Sequence, residues 1–116
     1  MTGHHKHNAI NYIEFPCKDP QTIKSFYSRV FGWTFQDWGQ DYISFQDGNL
    51  EGGFTTSESV TSGGARVILY SRDLEATLAS VKAAGGTIHQ AIFAFPGGRR
   101  FHFFDPDGNH LAVWSE

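Results

Sequence analysis

The chain carries a second copy of its own plan. When the 116-residue sequence is shifted by 54 positions, Lys18-Asp19 falls on Arg72-Asp73 and Gly32 falls on Gly86. Shifted by 60, Asp47-Gly48-Asn49 falls on Asp107-Gly108-Asn109. Each match sits at a helix start, a helix end or a tight turn. The six extra residues fall around Phe95-Pro96-Gly97-Gly98. Self-similarity at a fixed period marks a duplicated supersecondary unit. One such unit is too small to bury both faces of its own sheet, so two must pack together.

Within each unit the pattern reads strand, helix, three strands. Residues 9–16 alternate as a strand, with Ile10, Tyr12 and Glu14 on one face and Asn11, Ile13 and Phe15 on the other. Asp19 is a helix cap and Pro20 suits the first helical position. Ile23, Phe26, Tyr27, Val30 and Phe31 then form an apolar helical stripe that stops at Gly32. Strands follow over 33–38, 42–46 and 50–56, with Asp47-Gly48-Asn49 as the turn between the last two. Gly52-Gly53 inside a strand signals a bulge or a close backbone approach. The second unit has a strand over 65–71 and a helix from Asp73 to Ala83-Ala84-Gly85-Gly86. It continues with a short strand over 87–90, a strand over 100–104, the turn Asp105-Pro106-Asp107-Gly108-Asn109 and a strand over 110–115. The expected fold is α+β, with tandem βαβββ modules forming a curved eight-stranded mixed sheet around a cleft and the helices outside. The modules span 9–56 and 65–116, joined by a linker over 57–64, and residues 1–8 are expected to be a disordered tail.

Composition narrows the function classes. Eleven Phe, four Tyr and three Trp supply a large core for a small domain, with a surplus available to line a pocket. A net charge of -3 and the lack of any basic stripe argue against nucleic acid as a partner. No apolar run approaches the roughly 18 residues of a membrane helix, so no membrane partner is expected. The single cysteine, Cys17, cannot form an intrachain disulfide and suits a reducing, cytoplasmic setting. Its commonest role would be that of a small buried hydrophobe.

Three stretches carry a family resemblance: IEFPCKDPQTIKSFYSRVFGWTF, DLEATLASVKAAGGTI and FFDPDGNHLAVW. In this order, with the internal repeat, they resemble the glyoxalase/bleomycin-resistance/dioxygenase (vicinal oxygen chelate) superfamily. They are most similar to its branch of lactoylglutathione-lyase-related proteins, and the resemblance runs from about Asn11 to Trp114. It implies the tandem βαβββ fold, and a homodimer, because the family's clefts are often completed across two chains. Active members hold a divalent metal through His, Gln or Glu on the first and last strand of each unit, and use it to stabilise enolate charge. Carried over from the resemblance, those positions are Tyr12, Val67 (or Arg66 if the register slips by one), Ala112 and Gly52. None is a usual metal ligand. Single-residue slips add Glu51 and Asn11, which do not complete a three-ligand set. No metal and no cofactor is therefore expected in the cleft. His4, His5 and His7 form a separate tail cluster that would take up adventitious Cu or Ni.

The candidate ligand-binding residues are Tyr12, Glu14, Arg100, His102, His110 and Trp114. Glu14 shares a strand face with Tyr12. It is either a general base or cation-pairing carboxylate, or a strand carboxylate held by a neighbouring Arg or Lys. His110 and Trp114 share a face with Ala112, as cleft floor and stacking wall or as exposed strand start and core. His102 is either a cleft donor or a satisfied sheet histidine. Arg99 and Arg100 follow the Pro-Gly-Gly loop, and clamp a substrate carboxylate or phosphate or lie on a solvated hairpin edge. The reading adopted is a protein that binds a small hydrophobic or aromatic molecule without a metal. Its alternatives are a lyase or isomerase with Glu14 as base, and an interaction module with a vestigial cleft.

Overall fold

The computed structural model describes residues 7–8, 10–61 and 64–116. His4 and His5 of the tail cluster lie outside the described residues, as does most of the expected tail; His7 is exposed. The elements run β1 (Tyr12–Pro16), α1 (Pro20–Phe31), β2 (Thr34–Asp37), β3 (Tyr42–Gln46) and β4 (Glu51–Thr55). They continue with β5 (Val67–Tyr70), α2 (Leu74–Ala83), β6 (Thr87–Phe95), β7 (Gly98–Phe104) and β8 (His110–Ser115). This is an α+β fold of two βαβββ units. The strands are hydrogen-bonded as two four-stranded mixed sheets, ordered β1-β4-β3-β2 and β5-β8-β7-β6. Among the described residues no ladder joins the sheets, so β1 and β5 are both sheet edges. None of the described helices is long and apolar enough to cross a membrane.

Local chemistry sets the helix ends. The Asp19 carboxylate accepts from the backbone N–H groups of Gln21 and Thr22, Pro20 opens α1, and Gly32 closes it at φ 73. Asp73 caps α2 in the same way through Ala76 N–H. The repeat is inexact at the other end. Ala84 is the C-cap, and Gly85, not Gly86, takes the left-handed conformation at φ 101. Gly86 is small for a different reason: a Cβ there would lie 2.7 Å from Val81 and 3.0 Å from Phe26.

A single core runs through both units. Tyr27 of α1 stacks on Trp33 at 4.6 Å and meets Phe54 at 5.2 Å, while Phe26 reaches Phe103 of the second unit at 6.1 Å. Phe101, Phe103, Leu111 and Val113 supply the second sheet's share, all fully buried. Each such ring or branched side chain contributes roughly 1.5–3 kcal/mol, so most of the aromatic surplus is spent on stability.

The second DGN turn is a dock between the units. Asp107 accepts the backbone N–H groups of Lys18 (2.7 Å) and Asp19 (2.8 Å) at the start of α1. Asn109 donates to the Pro16 carbonyl at 2.9 Å, and buried Tyr27 donates to Asp105 at 3.0 Å. Among the described residues its copy at 47–49 closes only on its own turn, with Asp47 accepting from Asn49 and Leu50 N–H.

One sequence expectation changes and one is resolved between its two alternatives. The strand expected over 87–90 extends to Phe95, and its partner starts at Gly98, so Pro96-Gly97 is a tight hairpin turn with Gly97 at φ 114. Register shifts at Ile88/Gln90 and Gln90/Phe93 interrupt the alternation that would have revealed the longer strand. Strand β4 has no bulge; its two glycines serve close approach.

Candidate functional site

Strand alternation gives each sheet a core face, against the helices, and an open face turned away from them. Gly52 and Gly53 show the division. A Cβ on Gly52 would strike the Phe45 ring in the core, whereas one on Gly53 would strike the hydroxyls of Tyr42 and Tyr12. Tyr12, Glu14, Tyr42 and Gly53 therefore share the open face of the first sheet. Tyr42 donates to Glu14 at 2.8 Å, and the Tyr12 and Tyr42 hydroxyls lie 2.5 Å apart. Glu14 is exposed. The group that holds it is Tyr42, not the Arg or Lys its sequence suggested.

The open face of the second sheet holds the other four candidates. Register places Arg100 opposite Trp114 and His102 opposite Ala112. His102 Nδ1 and His110 Nε2 are 3.1 Å apart, and Arg66 Nη2 lies 3.4 Å from His110 Nδ1. His89 of β6 adds a third imidazole, edge-on to His110 at 5.0 Å. Burial first, then the Arg66 and Arg100 charges, pushes the His102 pKa down to about 4; burial and Arg66 also lower that of His110. Both rings are neutral near pH 7.

Arg100 guanidinium sits 5.5 Å from the centroids of Phe93 and Phe95. Among the described residues it has no carboxylate within ion-pair distance. Its neighbour Arg99 points to the other side and pairs with Glu75 at 2.6 and 3.2 Å. Beside Arg100 lies a recess of about 440 Å³ walled by Ile68, Phe95, Gly97 and Trp114. Trp114 also meets Tyr70 edge-on at 5.2 Å and is no member of the core cluster, so it is not the core residue that one of its two readings made it. A second recess of about 440 Å³ opens between the edges of β1 and β5, lined by Phe15, Phe31, Trp33 and Phe45. Its main polar neighbour is the Asp47 turn, whose carboxylate already serves its own backbone.

The structure thus divides the candidates. Tyr12 and Glu14 stand on one sheet, and Arg100, His102, His110 and Trp114 on the other. Among the described residues no hydrogen bond, ion pair or ring contact joins the two groups. Sequence reasoning missed Tyr42, His89, Phe93 and Phe95. Tyr42 had a signal in the alternation of Tyr42, Ser44 and Gln46. The partners from β6 had none, because the bulged strand hides their facing.

A divalent metal does not fit the positions that the resemblance pointed to. Gly52 and Val67 turn to the core side, so the open-face set is Tyr12, Gly53, Arg66 and Ala112. That set offers a phenol, no side chain, a cation and a methyl group. Among the described residues no three His, Cys, Asp or Glu converge as a ligand set. The histidines fail because facing nitrogens of His102 and His110 are used on each other. Cys17 offers no alternative chemistry: burial, then the nearby Asp107, pushes its thiol up to about 11.

The model of the Glyoxalase/Bleomycin resistance protein/Dioxygenase superfamily matches residues 9–113. A glyoxylase-like domain-containing protein from Didymella fabae is 31% identical over 119 aligned positions, covering 92% of this chain and 93% of that protein. A glyoxalase-related enzyme from Fulvimarina pelagi superposes with a TM-score of 0.79 at 21% identity, over 94% of this chain and 88% of that one. A fosfomycin resistance protein from Mesorhizobium loti gives the same TM-score of 0.79 at 13% identity, over 96% and 94%. At these identities the structural likeness concerns the fold.

Proposed function

Since the chain belongs to the Glyoxalase/Bleomycin resistance protein/Dioxygenase superfamily, we propose that it uses this fold to bind a small hydrophobic or aromatic molecule without a metal. The observation that carries the reading is the aromatic recess beside Arg100 and Trp114, on a face whose family metal positions hold no ligand set. Apolar walls with few polar groups are the usual make-up of a small-molecule site. The lone buried thiol of Cys17 suits a cytoplasmic setting. We read the chain as a homodimer, which would cover Tyr12, Trp38, Ile68 and Tyr70, all large and exposed.

The test is calorimetric titration of the full chain, its His4, His5 and His7 replaced by Ser, with a panel of naphthalene derivatives and then with Ni, Zn and Mn. Micromolar binding of an aromatic compound, lost at least tenfold in Trp114→Ala, with no stoichiometric metal uptake, is the expected result. Stoichiometric metal binding would return the chelate mechanism to first place.

A second reading, lyase or isomerase chemistry with Glu14 as base, rests on the Tyr12–Tyr42–Glu14 hydrogen-bonded chain. Glu14→Gln should abolish turnover if that reading holds, and leave aromatic binding on the other sheet unchanged.

A further inference from the structure

We propose that Arg100, which lines the recess, and His102, two residues further along β7 and outside that lining, together bind a carboxylate, so that the ligand of the recess is a small aromatic or hydrophobic carboxylate. This rests on the metal-free binding reading above and names its ligand class.

Along the open face of the second sheet, each hydrogen-bonded nitrogen fixes where the next proton sits. Arginine only donates hydrogen bonds. Arg66 Nη2 faces His110 Nδ1 at 3.4 Å, so that nitrogen accepts and carries no proton. His110, neutral, then holds its proton on Nε2, which faces His102 Nδ1 at 3.1 Å. His102 Nδ1 must accept, and His102 must carry its own proton on Nε2. That Nε2–H is buried and has no partner, on a side chain only 5% exposed. Arg100 Nε–H is buried and partnerless as well.

Buried polar groups in folded proteins are nearly always hydrogen-bonded. Here two orphans share one chemistry, donor, and one face of β7, two residues apart. Both flank the same ring: Phe93 is 5.5 Å from the Arg100 guanidinium carbon and 5.8 Å from the His102 ring centroid. Both nitrogens are sealed from solvent in this conformation, so the group that satisfies them enters with a shift of the Arg100 side chain over Phe93. It is an acceptor with no hydrogens of its own, and a carboxylate is the simplest. Its single negative charge matches the single charge of Arg100, since Arg66 is already turned to His110. A doubly charged phosphate would leave charge uncompensated among neutral rings. The body attached to the carboxylate meets Ile68, Phe95 and Trp114 in the adjoining recess.

Two measurements test this. The first compares naphthalene-2-carboxylate with naphthalene-2-methanol on the wild-type chain by calorimetry. The carboxylate should bind at least tenfold more tightly. Arg100→Met should reduce that preference to under threefold, read as the ratio of the two affinities in the same variant. His102→Phe should erode the preference too, and His102→Gln, which keeps a side-chain N–H, should restore most of it. Equal binding of the two probes overturns the carboxylate assignment and leaves the aromatic-binding reading standing. Binding of neither overturns both. The second needs no ligand: ¹⁵N NMR of the imidazoles in the wild-type chain should show His102 protonated at Nε2 and bare at Nδ1. A proton on Nδ1 of His102 breaks the chain of donors and overturns the proposal whatever the variants do.

Discussion

Gly52 and Gly53 are adjacent, yet a methyl group would have opposite consequences at each. At Gly52 it meets the Ile13 backbone oxygen and the buried Phe45 ring, neither of which can step aside. Gly52→Ala should cost about 2–3 kcal/mol, read as a lower urea midpoint with an unchanged slope. At Gly53 it meets the tips of two tyrosines that can swing into solvent. Gly53→Ala should cost less than half as much and break the Tyr12–Tyr42–Glu14 chain; a midpoint equal to that of Gly52→Ala would contradict this division of faces. His102 supplies a pH signature. Its folded pKa is about 4 against an ordinary 6.5, lowered by burial and by the charges of Arg66 and Arg100, with His110 and His89 also facing it. The unfolded chain therefore takes up this proton first. The stability is present above pH 6.5 and is withdrawn as pH falls toward 4, by on the order of 2 kcal/mol. Urea midpoints at pH 7 and 4.5 should differ less in His102→Gln than in the wild type.

Among the elements, the turn that carries the family resemblance proves to be structural. Asp105-Pro106-Asp107-Gly108-Asn109 clamps the two units through Lys18, Asp19, Pro16 and Tyr27. Asp107→Ala should leave two backbone donors at the start of α1 without an acceptor and cost roughly 2–4 kcal/mol, measured by denaturant unfolding. The corresponding Asp47→Ala, which frees only donors of its own exposed turn, should cost under about 1 kcal/mol. The turn chemistry was legible in sequence because Asp, Pro, Gly and Asn each impose local geometry. That one copy grips the other unit while its twin, among the described residues, bonds only within its own turn was not, because both copies share the same tripeptide.

At the scale of the whole molecule, large apolar side chains remain on the open faces: Tyr12 at 41%, Trp38 at 58%, Ile68 at 44% and Tyr70 at 48% exposure. They motivate the homodimer. Sedimentation at micromolar concentration should give twice the monomer mass, and Tyr70→Glu should shift the chain toward monomer; a wild-type chain that sediments as a monomer at all concentrations would rule it out. The sequence by itself determined the duplicated unit, the order of its elements, the helix caps and the strand faces of Tyr12, Glu14, His110 and Trp114. These follow from periodicity and from residues whose backbone preferences act over a few positions. Only the tertiary structure decided that Arg66 rather than Val67 stands on the open face. It alone also showed that Tyr42 holds Glu14, and that Arg100 Nε and His102 Nε2 are left as buried nitrogens without hydrogen-bond partners among the described residues. Those outcomes depend on register between strands distant in sequence, where a slip of one residue exchanges the two faces.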